Sequence, residues 1–103
     1  MDYSIDIGEF RFIWDENKNQ LNIEKHGITF LQAATAFNDP YGRIDYDEDH
    51  SELEERFVLI GNNIEGKLLM VCHCIREGGV IRIISARKAN KVEMRKYHDQ
   101  RFG

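Results

Sequence analysis

The sequence has little with which to staple or anchor itself. Its two cysteines, Cys72 and Cys74, stand one residue apart, too close to join distant segments through a disulfide. No apolar run approaches the roughly 18 residues that a membrane-crossing helix needs. The opening stretch MDYSIDIGEF carries acids where an export signal would carry lysines, so a cytoplasmic protein without membrane contact is expected. Repeats and low-complexity tracts are absent. So is metal-ligand spacing: there is no CxxC, no histidine pair at helical spacing, and no EF-hand pattern in the acidic run. Gly78-Gly79 reads as a hairpin turn and not as a phosphate loop. No metal or other cofactor is expected, and the cysteines read as buried structural residues.

What is present suffices for one folded domain over residues 1–103. A chain of this length buries roughly two-thirds of its unfolded surface, and 42% hydrophobic with 11% aromatic residues is a folded composition. The net charge of -4 hides a polarity along the chain. Residues 1–55 hold 14 acidic and 4 basic side chains, and residues 56–103 hold 4 and 10. A basic half attracts phosphate, whereas an acidic half screens it or meets a basic partner. The plainer alternative is two solvated faces that neutralise each other once folded.

The pattern predicts an α+β fold. Glu9 to Trp14 reads as a strand with Phe10, Phe12 and Trp14 on one face. Asp15 is a candidate N-cap for a helix reaching about His26, stopped by Gly27. Lys18, Leu21, Asn22 and Lys25 fall along one side of it. Thr29 and Gln32 fit a capping box for a second helix to about Phe37, with Phe30, Ala33, Ala34 and Phe37 buried. Strands are predicted at 41–46, 56–60, 68–75 and 80–85. Residues 45–55, with seven carboxylates, read as a solvated loop or a strand's edge. A last helix starts near Asn90. The architecture is an N-terminal strand and two helices, an antiparallel meander of three to four strands, and a C-terminal helix, with one sheet face left for a ligand. Phe12, Trp14, Phe30, Phe37, Phe57 and Leu69 are assigned to the core.

Arginines on neighbouring strands make a phosphate site credible, because guanidinium forks match phosphate oxygens. Arg56 opens one strand, Arg76 ends the next, and Arg82 interrupts an apolar third. The plain alternative is an arginine paired with a carboxylate such as Glu55. Among proton carriers, His50 sits in the acidic run. His26 reads as a helix-end cap. His73, alternating with the cysteines, reads as a core-edge or surface residue.

Three stretches go beyond composition. Trp14 to Ile28 has the form W-D-x-x-K-x-x-x-N-x-x-K-H-G-I. Glu55-Arg56-Phe57 follows, with Gly61 closing that strand. Then comes Ile81-Arg82-Ile83-Ile84-Ser85-Ala86-Arg87-Lys88-Ala89, with Glu93 and Tyr97 at helical spacing. From about Phe10 to Tyr97 the sequence resembles the BrnT family, the toxin half of a bacterial type II toxin–antitoxin pair; residues 1–8 form an N-terminal extension outside these motifs. The resemblance implies a RelE-like fold and a metal-independent ribonuclease that degrades mRNA, free or on the ribosome, blocking translation and arresting growth. It also implies a BrnA-like antitoxin with a ribbon-helix-helix part, operator DNA being contacted only through that partner.

Ribonucleases of that kind use the substrate's own 2′-hydroxyl as nucleophile. They need a base, cations for the crowded phosphorane, and an acid for the departing 5′-oxygen. Arg56, Arg76 and Arg87 are the candidates for phosphate stabilisation. Lys88, Tyr97, His50 and Glu55 are those for proton transfer, with Arg82, Lys91 and Arg95 binding substrate. Lys88 or Tyr97 serves as base only where neighbouring cations lower its pKa, and both stand among basic residues. The alternative function is a noncatalytic RelE-like module that binds RNA or a protein.

Overall fold

The computed structural model describes Met1–Gly103. Six strands form one sheet: β1 (Asp2–Ile7), β2 (Phe10–Asp15), β3 (Arg43–Tyr46), β4 (Phe57–Asn62), β5 (Leu68–Ile75) and β6 (Ile81–Lys88). Three helices accompany it: α1 (Glu16–His26), α2 (Phe30–Thr35) and α3 (Lys91–Phe102). The strand order is β1-β2-β6-β5-β4-β3. The expected meander is present as β3 to β6, antiparallel throughout. Two features differ from expectation. Residues 2–7, part of the extension, are a further antiparallel strand, and β2 joins the meander by pairing parallel with β6. The helical crossover through α1 and α2 carries the chain past the sheet, so β2 runs in the same direction as β6.

Local chemistry sets the element ends. Asp15 caps α1 by accepting from the Asn17 N–H, and Gly27 ends it at φ +70, a conformation open to glycine. Thr29 and Gln32 form a reciprocal capping box on α2, and Asn90 and Glu93 form one on α3. Helix α2 is shorter than expected and tightens into a 3-10 turn over Ala36–Asn38. That turn lies directly on β4: a Cβ on Gly61 would stand 3.0 Å from the Ala36 carbonyl oxygen, so glycine permits the contact.

The core fills the space between the sheet and α1–α2. Phe12, Trp14, Phe30, Leu69, Val71 and Ile83 are buried there with Ala33, Ala34 and Ala36, and Phe37 packs against them partly exposed. Phe57, expected in the core, is only half-buried at its margin. Helix α1 breaks the apolar-stripe rule: its buried residues are Asn19 and Asn22. The Asn22 amide donates to the carbonyls of Ile28 and Ala86, each at 2.8 Å, and its Oδ1 accepts from the Ala86 N–H at 3.1 Å. Beyond the two pairs Phe12↔Ile81 and Ile13↔Arg82, β2 leaves β6. Asn22 then supplies the edge of β6 with the hydrogen bonds that a strand would have made. The asparagine of the W-D-x-x-K-x-x-x-N stretch is thus a structural clip.

His73, expected at the core edge or surface, is 1% exposed. Its ring lies 4.7 Å from Phe37, edge to face, and its Nε2 is buried without a partner. The register shift between Cys72 and His73, which leaves Ile84 unpaired on β6, accompanies this placement. Both cysteines are buried and unbridged.

Candidate active site

Ile81 and Ile83 point into the core, so Arg82 between them points to the opposite, open face. Cys74 pairs with Arg82 across β5 and β6, and Arg56 immediately precedes β4 and its pair Phe57↔His73, which brings it beside Cys74 of β5. With neighbouring strands about 4.8 Å apart, the backbones at Arg56 and Arg82 stand roughly 10 Å from each other. Arg76, just past the end of β5, completes a guanidinium cluster at one end of that face.

The three arginines are not equivalent. Arg76 Nη2 lies 3.2 Å from Glu54 Oε2. Arg82 meets Asp2 with both terminal nitrogens at 3.3 Å, and this holds the Asp2 carboxyl below the ordinary range. Arg56 has no carboxylate at ion-pair distance, and its Nε is buried without a partner. The carboxylates used are therefore Glu54 and Asp2, whereas the Glu55 of the sequence reading is exposed and outside every ion pair. Two cations of the second half are thus met by acids of the first, so the charge polarity of the chain is partly cancelled in space. Burial pushes both thiols up, Cys74 to about 11, while Arg56 pulls the other way; neither sulfur is a nucleophile at neutral pH.

The acidic segment is more ordered than a solvated loop. After β3 it makes a 3-10 turn over Glu48–His50. The Ser51 hydroxyl then accepts from the Arg56 N–H at 3.0 Å, and the Asp47 N–H donates to the Arg56 carbonyl at 2.8 Å. The result is a hollow of about 320 Å³ lined by Asp49, His50, Glu52, Leu53, Glu54 and Arg56. His50 Nδ1 lies 3.0 Å from Asp47 Oδ2, which fixes the ring and leaves Nε2 free. Aspartate, histidine and an unpaired arginine therefore stand together.

The other expected site residues lie elsewhere. Arg87, near the end of β6, is held by both oxygens of Glu93 at 2.8 and 2.9 Å. Lys88 ends that strand exposed, and Lys91 and Arg95 project from α3 into solvent. Tyr97 is buried; its hydroxyl donates to Asp39 Oδ2 at 2.7 Å and accepts from Asn62 Nδ2 at 3.0 Å. Burial and the Asp39 carboxylate raise its pKa, which overturns the expectation that neighbouring cations would lower it. What sequence reasoning missed was Asp2, Asp47 and Glu54. Only the folded sheet reveals Asp2 and Glu54, which are distant in sequence from their arginines, whereas Asp47 stands three residues from His50 and is hidden among the carboxylates of the acidic run.

No curated protein matches the chain. Among solved structures, the 1.1 Å crystal structure of the Brucella abortus ribonuclease toxin BrnT is similar in fold. Its TM-score is 0.59 at 24% identity, covering 76% of this chain and 94% of that one. The family described as ribonuclease toxin BrnT of type II toxin–antitoxin systems matches residues 14–93. That span holds α1 with its Asn22 clip, the whole meander and all three clustered arginines, and the chain belongs to the BrnT family of ribonuclease toxins.

Proposed function

We propose that this protein is a metal-independent endoribonuclease that cleaves RNA through in-line attack by the substrate's own 2′-hydroxyl. It thereby inhibits translation and arrests growth in the cytoplasm until a BrnA-like antitoxin neutralises it. The observation that carries the reading is the convergence of Arg56, Arg76 and Arg82 on one open face, with Arg56 free of any carboxylate.

Arg56 holds the scissile phosphate, and Arg76 and Arg82 add charge as the phosphorane forms. His50, steadied by Asp47, takes the 2′-hydroxyl proton at Nε2. The bond from O2′ to phosphorus forms as the bond to O5′ breaks. The products are a 2′,3′-cyclic phosphate and a 5′-oxygen protonated from solvent at this open face. Tyr97, with its raised pKa and committed hydroxyl, is a structural residue in this scheme. Arg87 secures α3 to β6 through Glu93.

The test is induced expression of wild type and Arg56→Ala, followed by growth curves and primer extension on cellular mRNA. Losing one preorganised donor costs about 10²–10³ in rate, so arrest and discrete cleavages should vanish while the variant stays folded. Purified wild type should cut RNA equally well in EDTA. Asp2 and Glu54 neutralise two of the three cations, which favours the second reading, a noncatalytic binding module. Unimpaired growth and intact RNA with wild type would install it.

A further inference from the structure

Cleavage chemistry leaves β1 unexplained, and β1 lies outside the matched residues 14–93. It pairs with β2 along its whole length, from Asp2↔Asp15 to Ile7↔Phe10. Its apolar residues alternate: Tyr3 stacks on Trp14 at 4.9 Å, and Ile5 and Ile7 pack against the core. The same alternation sends Asp2, Ser4 and Asp6 to the open face. There Asp2 meets Arg82 two oxygens to two nitrogens, the fork geometry that a phosphate would take. The Arg82 side chain is 19% exposed and Asp2 is 62% exposed, so the carboxylate is the outer partner, in the approach of an incoming anion. Arg76 contributes to the same field at Asp2.

We propose that Asp2 is a built-in competitor for RNA phosphate at Arg82, carried into place by β1. The inference rests on the RNA-cleaving reading. A tethered carboxylate is present at high effective concentration whatever the solution contains. One exposed ion pair is weak, however, and a strand that brings several phosphates displaces it. The extension thus raises the threshold for substrate: RNA engaged at several cations is admitted, and a lone phosphate is refused.

The experiment measures fluorescence anisotropy of a labelled, single-stranded 2′-O-methyl oligoribonucleotide, which cannot be cut. It compares wild type, Asp2→Asn, Arg82→Ala, the double variant, and Asp6→Asn, whose partner is Arg11. Asp2→Asn should bind about two- to five-fold tighter, the range for removing an exposed ion pair. The gain should vanish in the Arg82→Ala background, and Asp6→Asn should gain less. Unchanged or weaker binding by Asp2→Asn overturns the proposal, as does a gain that survives without Arg82 or is matched by Asp6→Asn. Melting curves check folding, with Asp2→Ser as replacement if the asparagine variant unfolds. If neither folded wild type nor Asp2→Asn binds RNA, the RNA reading itself falls. If Arg82→Ala weakens binding and Asp2→Asn changes nothing, only the competitor falls.

Discussion

Replacing Asn22 should unclip α1 from the sheet. The side chain is 6% exposed and holds three backbone groups: the Ile28 carbonyl, the Ala86 carbonyl and the Ala86 N–H. Asn22→Ala orphans all three. At about 1 kcal/mol for each, the low end for a buried unpaired group, the loss is about 3 kcal/mol. Intrinsic propensity opposes this, because alanine favours helix over asparagine by roughly 0.6 kcal/mol. A net loss of about 2–3 kcal/mol lowers the melting midpoint of a domain this size by roughly 8–24 °C. Urea unfolding monitored by circular dichroism gives the free energy, and hydrogen exchange at the Ala86 amide reports the site itself. Asn22→Asp should be worse, since a carboxylate cannot donate to either carbonyl and its charge is buried. A loss under about 0.5 kcal/mol for the alanine variant, with Ala86 still protected, would refute the clip.

Three further outcomes follow from other buried groups. Burial lowers the His73 pKa, so the native state favours the neutral ring while the unfolded chain binds a proton near pH 6.5. The stability this confers is complete above that pH and is lost as pH falls toward the native value. The urea midpoint should therefore drop between pH 7.5 and 5.5, and His73→Phe should flatten the slope. Tyr97→Phe should cost about 1–2 kcal/mol, because Asn62 Nδ2 loses its acceptor and Asp39 Oδ2 keeps only the Asn62 N–H, yet leave RNA cleavage intact. Loss of cleavage in a folded Tyr97→Phe would return Tyr97 to the chemistry. Cys72 and Cys74, buried with raised pKa values, should react with a thiol reagent at pH 8 far more slowly in native than in unfolded protein.

Local rules were legible and long-range ones were not. Asp15, Gly27 and the Thr29–Gln32 box mark their helix ends because capping involves residues within a turn of one another. Leu68–Ile75 is legible as an apolar run interrupted only by His73. Strand β1 is hard to read although Tyr3, Ile5 and Ile7 alternate, because its intervening acids resemble a solvated tail. The inward face of α1 is not legible in the sequence because hydrophobicity finds apolar stripes, and Asn19 and Asn22 are buried through hydrogen bonding instead. At the candidate site, Arg56, Arg76 and Arg82 are candidates by residue type alone. That Arg87 and Tyr97 stand apart from them, and that Glu54 acts where Glu55 was expected, depends on register and strand order.

The parallel pairing of β2 with β6 governs when the arginine cluster can assemble. Phe12 pairs with Ile81 and Ile13 with Arg82, so a strand made early waits for the strand made last. Such distant pairing forms late, after the intervening chain has been ordered. Arg82 reaches the open face only once β6 lies between β2 and β5. A growing polypeptide on the ribosome, or one cut short before β6, therefore lacks the arginine cluster. The candidate site is therefore a property of the finished sheet alone.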